Sequence, residues 1–219
     1  MTYTSHADLG GRDCRDPVIA EPEGLLWHAT WEPRALAVTL AMGATGAWNI
    51  DMSRSARETL PDYAQLSYYG IWLAALCRMM VERGLVTDEE IDQAQVRVAP
   101  RPLSRVLRAD AVADVLARGS PTMRDVSAPA RFQIGDRVRT RAGHVDHHTR
   151  LPGYAAGRVG TVECVHGVHV FADAHAQGLG ELPEWLYSVA FEGRALWGDD
   201  ATPGTSVAID LWEEYLERA

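Results

Sequence analysis

Histidines are the residues whose spacing most suggests chemistry in this 219-residue chain. His144, His147 and His148 form one cluster, and His166 and His169 form a second. Neighbouring side chains on a regular strand point to opposite faces, so His147 and His148 would not reach a single ion from a strand. His166 and His169 also fall on opposite faces if their segment is a strand. We therefore interpret the first cluster as a polar loop and predict no metal site on this chain.

Candidate nucleophiles stand outside the patterns that usually activate them. The cysteines Cys14, Cys77 and Cys164 are scattered, which disfavours a disulfide framework and a structural zinc site. The sequence contains no G-x-S-x-G elbow and no glycine-rich phosphate loop. All 21 basic residues are arginine, so no lysine is available for Schiff-base chemistry. We expect either that a partner chain supplies the missing chemistry or that the protein is not an enzyme component.

Composition limits the partners and the location of the protein. A hydrophobic fraction of 47% and a charged fraction of 23% are ordinary for a soluble globular protein. The net charge of −9 disfavours nonspecific nucleic-acid binding. The longest apolar stretch, residues 66–80, is too short to span a bilayer and contains Arg78. With no recognisable signal peptide, these features predict a cytoplasmic protein without membrane contacts.

The first part of the chain reads as an arm followed by helices. Residues 1–24 are rich in Gly, Asp, Pro and Glu without periodicity and predict an extended arm, which can order on a partner. Residues 25–118 predict a helical domain, with helices starting at Pro33 and near Asp51, one over residues 66–83 that ends at Gly84, and one over 110–118. Thr87 and Glu90 match a capping box at the start of another helix.

The sequence pattern of the second part of the chain is typical of a β-sheet. Residues 119–131 are rich in Ser, Pro and Ala and predict a linker. Within residues 132–219, short segments separated by Gly, Pro and Asp predict strands at 137–139, 159–165, 186–191 and 207–212. Helices followed by strands indicate an α+β fold whose second half is a small antiparallel barrel or sandwich.

Several motifs resemble the beta subunits of nitrile hydratases. The run His148-Thr149-Arg150-Leu151-Pro152, with Tyr154, Gly157-Arg158 and Gly160 after it, is similar to a signature of that family. Tyr68-Tyr69-x-x-Trp72 upstream and Asp210-Leu211-Trp212-Glu213 downstream extend the similarity over nearly the whole chain. The sequence departs from the family at His147, where a glycine is usual, and at Ala156, where an arginine is usual. The second departure puts one subunit-interface ion pair in doubt, with Arg158 as the candidate substitute.

The resemblance implies a fold, a partner and a reaction. The implied fold is an extended arm, a mainly helical domain and a C-terminal SH3-like antiparallel β-barrel. The partner would be an alpha subunit that holds Co(III) or Fe(III) in a claw of cysteine thiolates, partly oxidised, and backbone amide nitrogens, within an α2β2 heterotetramer. The reaction would add water to a small nitrile to give an amide, with no metal ligand on this chain.

The resemblance also implies site residues. Arg54 and Arg150 match the two arginines that hydrogen-bond the oxidised cysteine ligands, a task suited to a planar, permanently charged guanidinium. Tyr68 and Trp72 lie four residues apart and share a helical face, which by itself is more typical of a core pair. The family places this pair at the substrate pocket, with Tyr69 and Leu36 as further pocket residues.

Two other hypotheses remain open at this point. Thiocyanate hydrolase uses the same kind of metal claw, but its helical and barrel halves are separate chains, whereas both halves are fused here. A non-catalytic role, as an interaction or metallochaperone-like protein, would predict a stable solitary chain that confers no activity on an alpha subunit.

Overall fold

The fold is described by a computed structural model that covers residues 3–11 and 17–219. The chain divides into two compact units. The helical unit holds residues 17–119 together with Thr4–Ala7. The sheet unit holds Ser120–Ala219 together with Tyr3 and residues 8–11. Cys14 lies outside the described residues.

In its described residues, the helical unit contains five α-helices: α1 Glu32–Gly43, α2 Ile50–Glu58, α3 Tyr68–Glu82, α4 Asp88–Gln93 and α5 Val112–Arg118. Their core gathers Trp48, Ala56, Leu60, Ala75, Leu76 and Met79. All five predicted helices are confirmed, although a short 3₁₀ turn at Ala109–Ala111 replaces the expected first turn of α5.

Side chains at the helix ends explain where α2, α3 and α4 begin and end. The Asn49 side chain accepts a hydrogen bond from the Met52 amide at the start of α2, and Ser67 accepts one from Gly70 at the start of α3. The predicted capping box is confirmed, because Thr87 and Glu90 bond reciprocally at the start of α4. Gly84 has a φ of +63° just after α3, a left-handed conformation that glycine adopts without strain.

Six antiparallel strands are found in the described part of the sheet unit: β1 Met123–Arg124, β2 Arg137–Thr140, β3 Val159–His169, β4 Glu184–Glu192, β5 Ser206–Trp212 and β6 Leu216–Arg218. Their order is β5-β4-β3-β2-β6, with β1 paired to β3. The four predicted strands are confirmed. The helices α6 Ala172–Gln177 and α7 Gly193–Trp197, like the short strands β1 and β6, were not predicted.

The α+β class is confirmed, whereas the SH3-like barrel is not. Among the described strands, no pairing joins β5 to β6, so the sheet is open. One face of the sheet carries the core, which includes Val138, Val162, Tyr187, Phe191, Leu211 and Tyr215. The register of β3 against β4 shifts between Val162 and Cys164 and again between Val165 and Gly167, irregularities that bend a strand locally.

Residues 8–11 of the arm pack on the sheet unit. The Asp8 carboxylate accepts a hydrogen bond from the Gly153 amide at 2.9 Å. The Tyr154 and Trp197 rings stack with centroids 6.0 Å apart, and Gly10 and Gly11 lie against them. A Cβ on Gly11 would fall 2.8 Å from the Tyr154 Cβ, so the close approach requires glycine.

Within the described ranges, no helix has the length and hydropathy needed to cross a membrane.

Candidate functional site

The first group of predicted site residues lies on α2 and α3. Arg54 projects from α2 and forms an ion pair with Asp51, one turn earlier, at 3.0 Å. The Asp51 side chain is only 6% exposed, whereas that of Arg54 is 43% exposed. A buried carboxylate therefore holds one end of a guanidinium that still reaches solvent, which leaves N–H donors of the fork for other acceptors.

Aromatic rings line the start of α3. Tyr68 and Trp72 lie on one face, as predicted, with ring centroids 5.7 Å apart. Tyr69 contacts both rings and also packs against Trp27, at a centroid distance of 5.3 Å. Tyr68 is 64% exposed, so it is not a core residue. Together the rings form an aromatic cluster of four residues: Trp27, Tyr68, Tyr69 and Trp72.

Arg57 is a member of this region that the sequence did not single out. Its guanidinium lies over the Trp72 ring, with Cζ 4.7 Å from the centroid, a cation–π geometry. Its Nε donates to the Ser53 carbonyl at 3.1 Å. Burial, aided by the nearby positive charge of Arg54, lowers the pKa of the Arg57 guanidinium. The only available sequence signal was the position of Arg57, one turn after Ser53 and three residues after Arg54.

Leu36 lies on α1 and is half-buried. Helix α1 packs against α3, the helix that carries three of the four rings of the aromatic cluster. The role of Leu36 as a substrate-pocket residue stays a prediction.

Arg150 belongs to the sheet unit, where its backbone is anchored. The Arg150 amide donates to the Tyr215 hydroxyl at 3.0 Å. That hydroxyl in turn donates to the Asp173 carboxylate in α6. Tyr215 is fully buried and Asp173 is 1% exposed, while Arg150 itself is exposed. The side chain of Arg150 thus starts from a backbone position tied to the core.

Burial and hydrogen bonding shift the pKa values of this pair. Desolvation raises the pKa of Asp173, although the hydrogen bond from Tyr215 and the charges of His147 and His148 oppose that effect. Desolvation and the Asp173 carboxylate raise the pKa of Tyr215, so its hydroxyl keeps its proton. A protonated tyrosine is a permanent donor to the carboxylate and a permanent acceptor for the Arg150 amide.

The first histidine cluster lies in a loop, as predicted, and one of its members is buried. His148 is 2% exposed, and its Nδ1 lies 3.3 Å from the Tyr3 hydroxyl. His147 is half-buried, with Nδ1 2.9 Å from the His148 carbonyl and 3.8 Å from the Asp173 carboxylate. His148 thus lies in a loop, as predicted, but its side chain is buried, which the sequence did not indicate.

The second histidine pair makes separate contacts. His166 Nε2 lies 2.7 Å from the Ser188 hydroxyl, and His169 Nδ1 lies 3.0 Å from the Thr122 hydroxyl. Within residues 3–11 and 17–219, no group of three His, Cys, Asp or Glu side chains is arranged to hold a metal ion.

Both parts of the chain match family models. Residues 3–115 match the model described as nitrile hydratase beta subunit, N-terminal, and residues 121–218 match the corresponding C-terminal model. The chain belongs to the nitrile hydratase beta subunit family.

Curated relatives match along most of their length. The low-molecular weight cobalt-containing nitrile hydratase subunit beta of Rhodococcus rhodochrous is 35% identical, over 95% of this chain and 96% of its own. The cobalt-containing nitrile hydratase subunit beta of Pseudonocardia thermophila is 30% identical, over 96% of this chain and 94% of its own. The thiocyanate hydrolase subunit alpha of Thiobacillus thioparus is 30% identical, but over only 43% of this chain and 76% of its own.

The two predicted site arginines lie in different units, Arg54 in the helical unit and Arg150 in the sheet unit. Each is held by a buried group of its own unit: Asp51 for Arg54, and Tyr215 for the Arg150 backbone.

Proposed function

We propose that this chain is the beta subunit of a cobalt-dependent nitrile hydratase, which adds water to nitriles to give amides. The observation that carries the proposal is the end-to-end match with a cobalt-containing nitrile hydratase subunit beta, 35% identical over 95% of this chain. The fusion of both halves in one chain favours this reaction over thiocyanate hydrolysis, since the thiocyanate hydrolase subunit matches less than half of the chain.

In this proposal the metal is held by an alpha subunit, and this chain acts through its arginines. A bound trivalent metal would supply Lewis acidity to the nitrile or to water. The oxidised cysteine ligands around it carry localised negative charge, and Arg54 and Arg150 would donate hydrogen bonds to those oxygens. Arg54 suits this role because Asp51 orients its guanidinium while almost half of the side chain stays exposed.

The substrate pocket of the proposal is built around the aromatic cluster. The exposed Tyr68 hydroxyl would orient the nitrile or the attacking water, while Trp72, Tyr69 and Leu36 would present apolar walls. The Arg57 stack on Trp72 keeps that indole in a fixed orientation. A rigid aromatic wall favours small apolar nitriles over charged ones.

Assembly with an alpha subunit, as an α2β2 heterotetramer with an SH3-like arrangement of the sheet unit, completes the proposal. The test is to co-express this chain with a cobalt-type alpha subunit that carries the cysteine claw, and to assay a small aliphatic nitrile for amide. Amide from the purified complex, and none from either chain alone, is the expected result. Carbonyl sulfide from thiocyanate with no amide from nitriles would instead establish thiocyanate hydrolysis. A solitary stable chain that confers no activity would refute both.

A further inference from the structure

Two buried tyrosines in the sheet unit each donate a hydrogen bond to a buried carboxylate. Tyr215 donates to Asp173, and Tyr187 donates to Glu213. Both rings are fully buried. Both systems also fix a backbone amide: Arg150 N–H donates to the Tyr215 hydroxyl at 3.0 Å, and Arg131 N–H donates to the Glu213 carboxylate at 2.9 Å. The two arrangements are chemically alike, but only the first contacts a proposed active-site residue.

The Tyr215 hydroxyl is both a hydrogen-bond donor and a hydrogen-bond acceptor. A phenol has one proton to donate and lone pairs with which to accept. The proton goes to Asp173, and the Arg150 amide approaches the oxygen. The Arg150 backbone is thereby attached to the hydroxyl and, through it, to the carboxylate behind it.

The Tyr215 ring is itself held in place on several sides. Phe171 packs edge-on at a centroid distance of 5.7 Å, and Trp212 packs at 6.1 Å. The Arg141 guanidinium lies over the ring at 5.6 Å, and the Arg141 amide donates to the Tyr215 carbonyl at 2.7 Å. The hydroxyl therefore occupies a fixed point of the core rather than following the surface turn that carries Arg150.

We propose that Tyr215, oriented by Asp173, is a positioning residue for Arg150. Its hydroxyl sets the backbone position from which the Arg150 guanidinium extends towards the centre held by the alpha subunit. An arginine side chain has many rotors, so the accuracy of its charged end depends on the point from which it starts. This inference rests on the proposed function of Arg150 and adds to it the group that places that residue.

The test compares Tyr215→Phe with Tyr187→Phe in the complete complex with the alpha subunit. Tyr215→Phe removes the hydroxyl but keeps the ring, so kcat should fall about tenfold, as expected for a small displacement of a catalytic group. KM should change less than twofold, because the variant displaces a group aimed at the metal ligands and not the aromatic cluster. Tyr187→Phe removes an equally buried hydroxyl from the same unit, one that does not contact Arg150, and should leave kcat within about twofold of the parent.

A second readout does not depend on turnover. Amide hydrogen exchange of the peptide that contains Arg150 should accelerate in Tyr215→Phe and stay unchanged in Tyr187→Phe. Equal losses of kcat in the two variants would show a merely structural role and overturn the proposal. Faster exchange at Arg150 with unchanged kcat would overturn it as well.

Asp173→Asn keeps the proposal testable if Tyr215→Phe does not assemble. The asparagine oxygen accepts a weaker hydrogen bond from Tyr215 than the carboxylate does, so kcat should fall and exchange at Arg150 should accelerate together. A loss of kcat in Asp173→Asn with Arg150 still protected would overturn the positioning role. Arg150→Lys distinguishes a failure of the proposed function from a failure of the positioning role. An unchanged kcat in Arg150→Lys would refute the proposed role of Arg150. A lower kcat in Arg150→Lys with an unchanged kcat in Tyr215→Phe would refute only the positioning role of Tyr215.

Discussion

The Arg57 guanidinium covers one face of the Trp72 indole at 4.7 Å, while its Nε is bonded to the Ser53 carbonyl of its own helix. One side chain therefore connects α2 to the aromatic cluster on α3. We expect Arg57→Met to lower the stability of the complex by about 1 kcal/mol, because a cation–π contact and a hydrogen bond are both lost. Differential scanning calorimetry of the complex measures the shift in Tm. Arg34→Met, an exposed residue of α1, is the control and should leave Tm unchanged.

The two family arginines should not tolerate lysine. Arg54→Lys and Arg150→Lys each keep the charge but lose the planar fork, so the complex should assemble while turnover falls by about 10²-fold. Steady-state kinetics with a small nitrile, together with gel filtration, separates the two effects. Arg118→Lys, at the end of α5, is the matched surface control. Full turnover in Arg150→Lys would remove that residue from the site.

The Tyr68 hydroxyl should contribute to catalysis although its ring is exposed. We expect Tyr68→Phe to lower kcat/KM about fivefold to tenfold, the value of one hydrogen bond to the reacting groups. Tyr63→Phe serves as the control, because Tyr63 is a half-buried tyrosine that packs against the core of the same unit. Equal effects of the two substitutions would point to a structural role for Tyr68.

The sequence pattern predicted helices α1 to α5 and strands β2 to β5, because helical spacing, caps and period-two alternation are local signals. Contacts between residues distant in the sequence could not be predicted from such local signals. The Tyr215–Asp173 hydrogen bond joins residues 42 positions apart, and the two residues of β1 are too few to show a period. In the sequence, Arg57 is indistinguishable from other charged residues on an exposed helix face. Its contact with Trp72 depends on how α2 and α3 pack together.

Glu90 should make the loop after α4 sensitive to acid. Three backbone amides, of Arg97, Val98 and Thr87, donate to its carboxylate and lower its pKa to about 2. Because the folded-state pKa lies below the ordinary value of 4.5, the stabilisation is present above about pH 4.5 and is lost as the pH falls towards 2. Glu90→Gln should raise amide exchange of the peptide that contains Arg97 at pH 7. Asp92→Asn, on the same helix, should not; equal exchange in both variants would contradict the assignment.

The contact of the arm with the sheet unit should depend on glycine at position 11. Gly11→Ala places a Cβ 2.8 Å from Tyr154 at a φ of +75°, so both steric overlap and backbone strain oppose packing. We expect the arm to be cleaved several-fold faster in limited proteolysis of the complex. Gly24→Ala shares the strain, with a φ of +84°, but has nothing within 4 Å of the added Cβ. It should be cleaved like the parent, and an equally fast cleavage would attribute the effect to strain alone.

Because the sheet is open, its edge strands affect how the unassembled chain behaves in solution. Strands β5 and β6 lie at the two ends of the main strand order, and an unpaired edge is a template for aggregation. Strand β6 has only three residues, two of them the charged Glu217 and Arg218. On β5, Asp210 bonds to Ser188 and remains largely exposed, which places a charge in the middle of that edge. Short length and charge at these edges disfavour self-association of the unassembled chain.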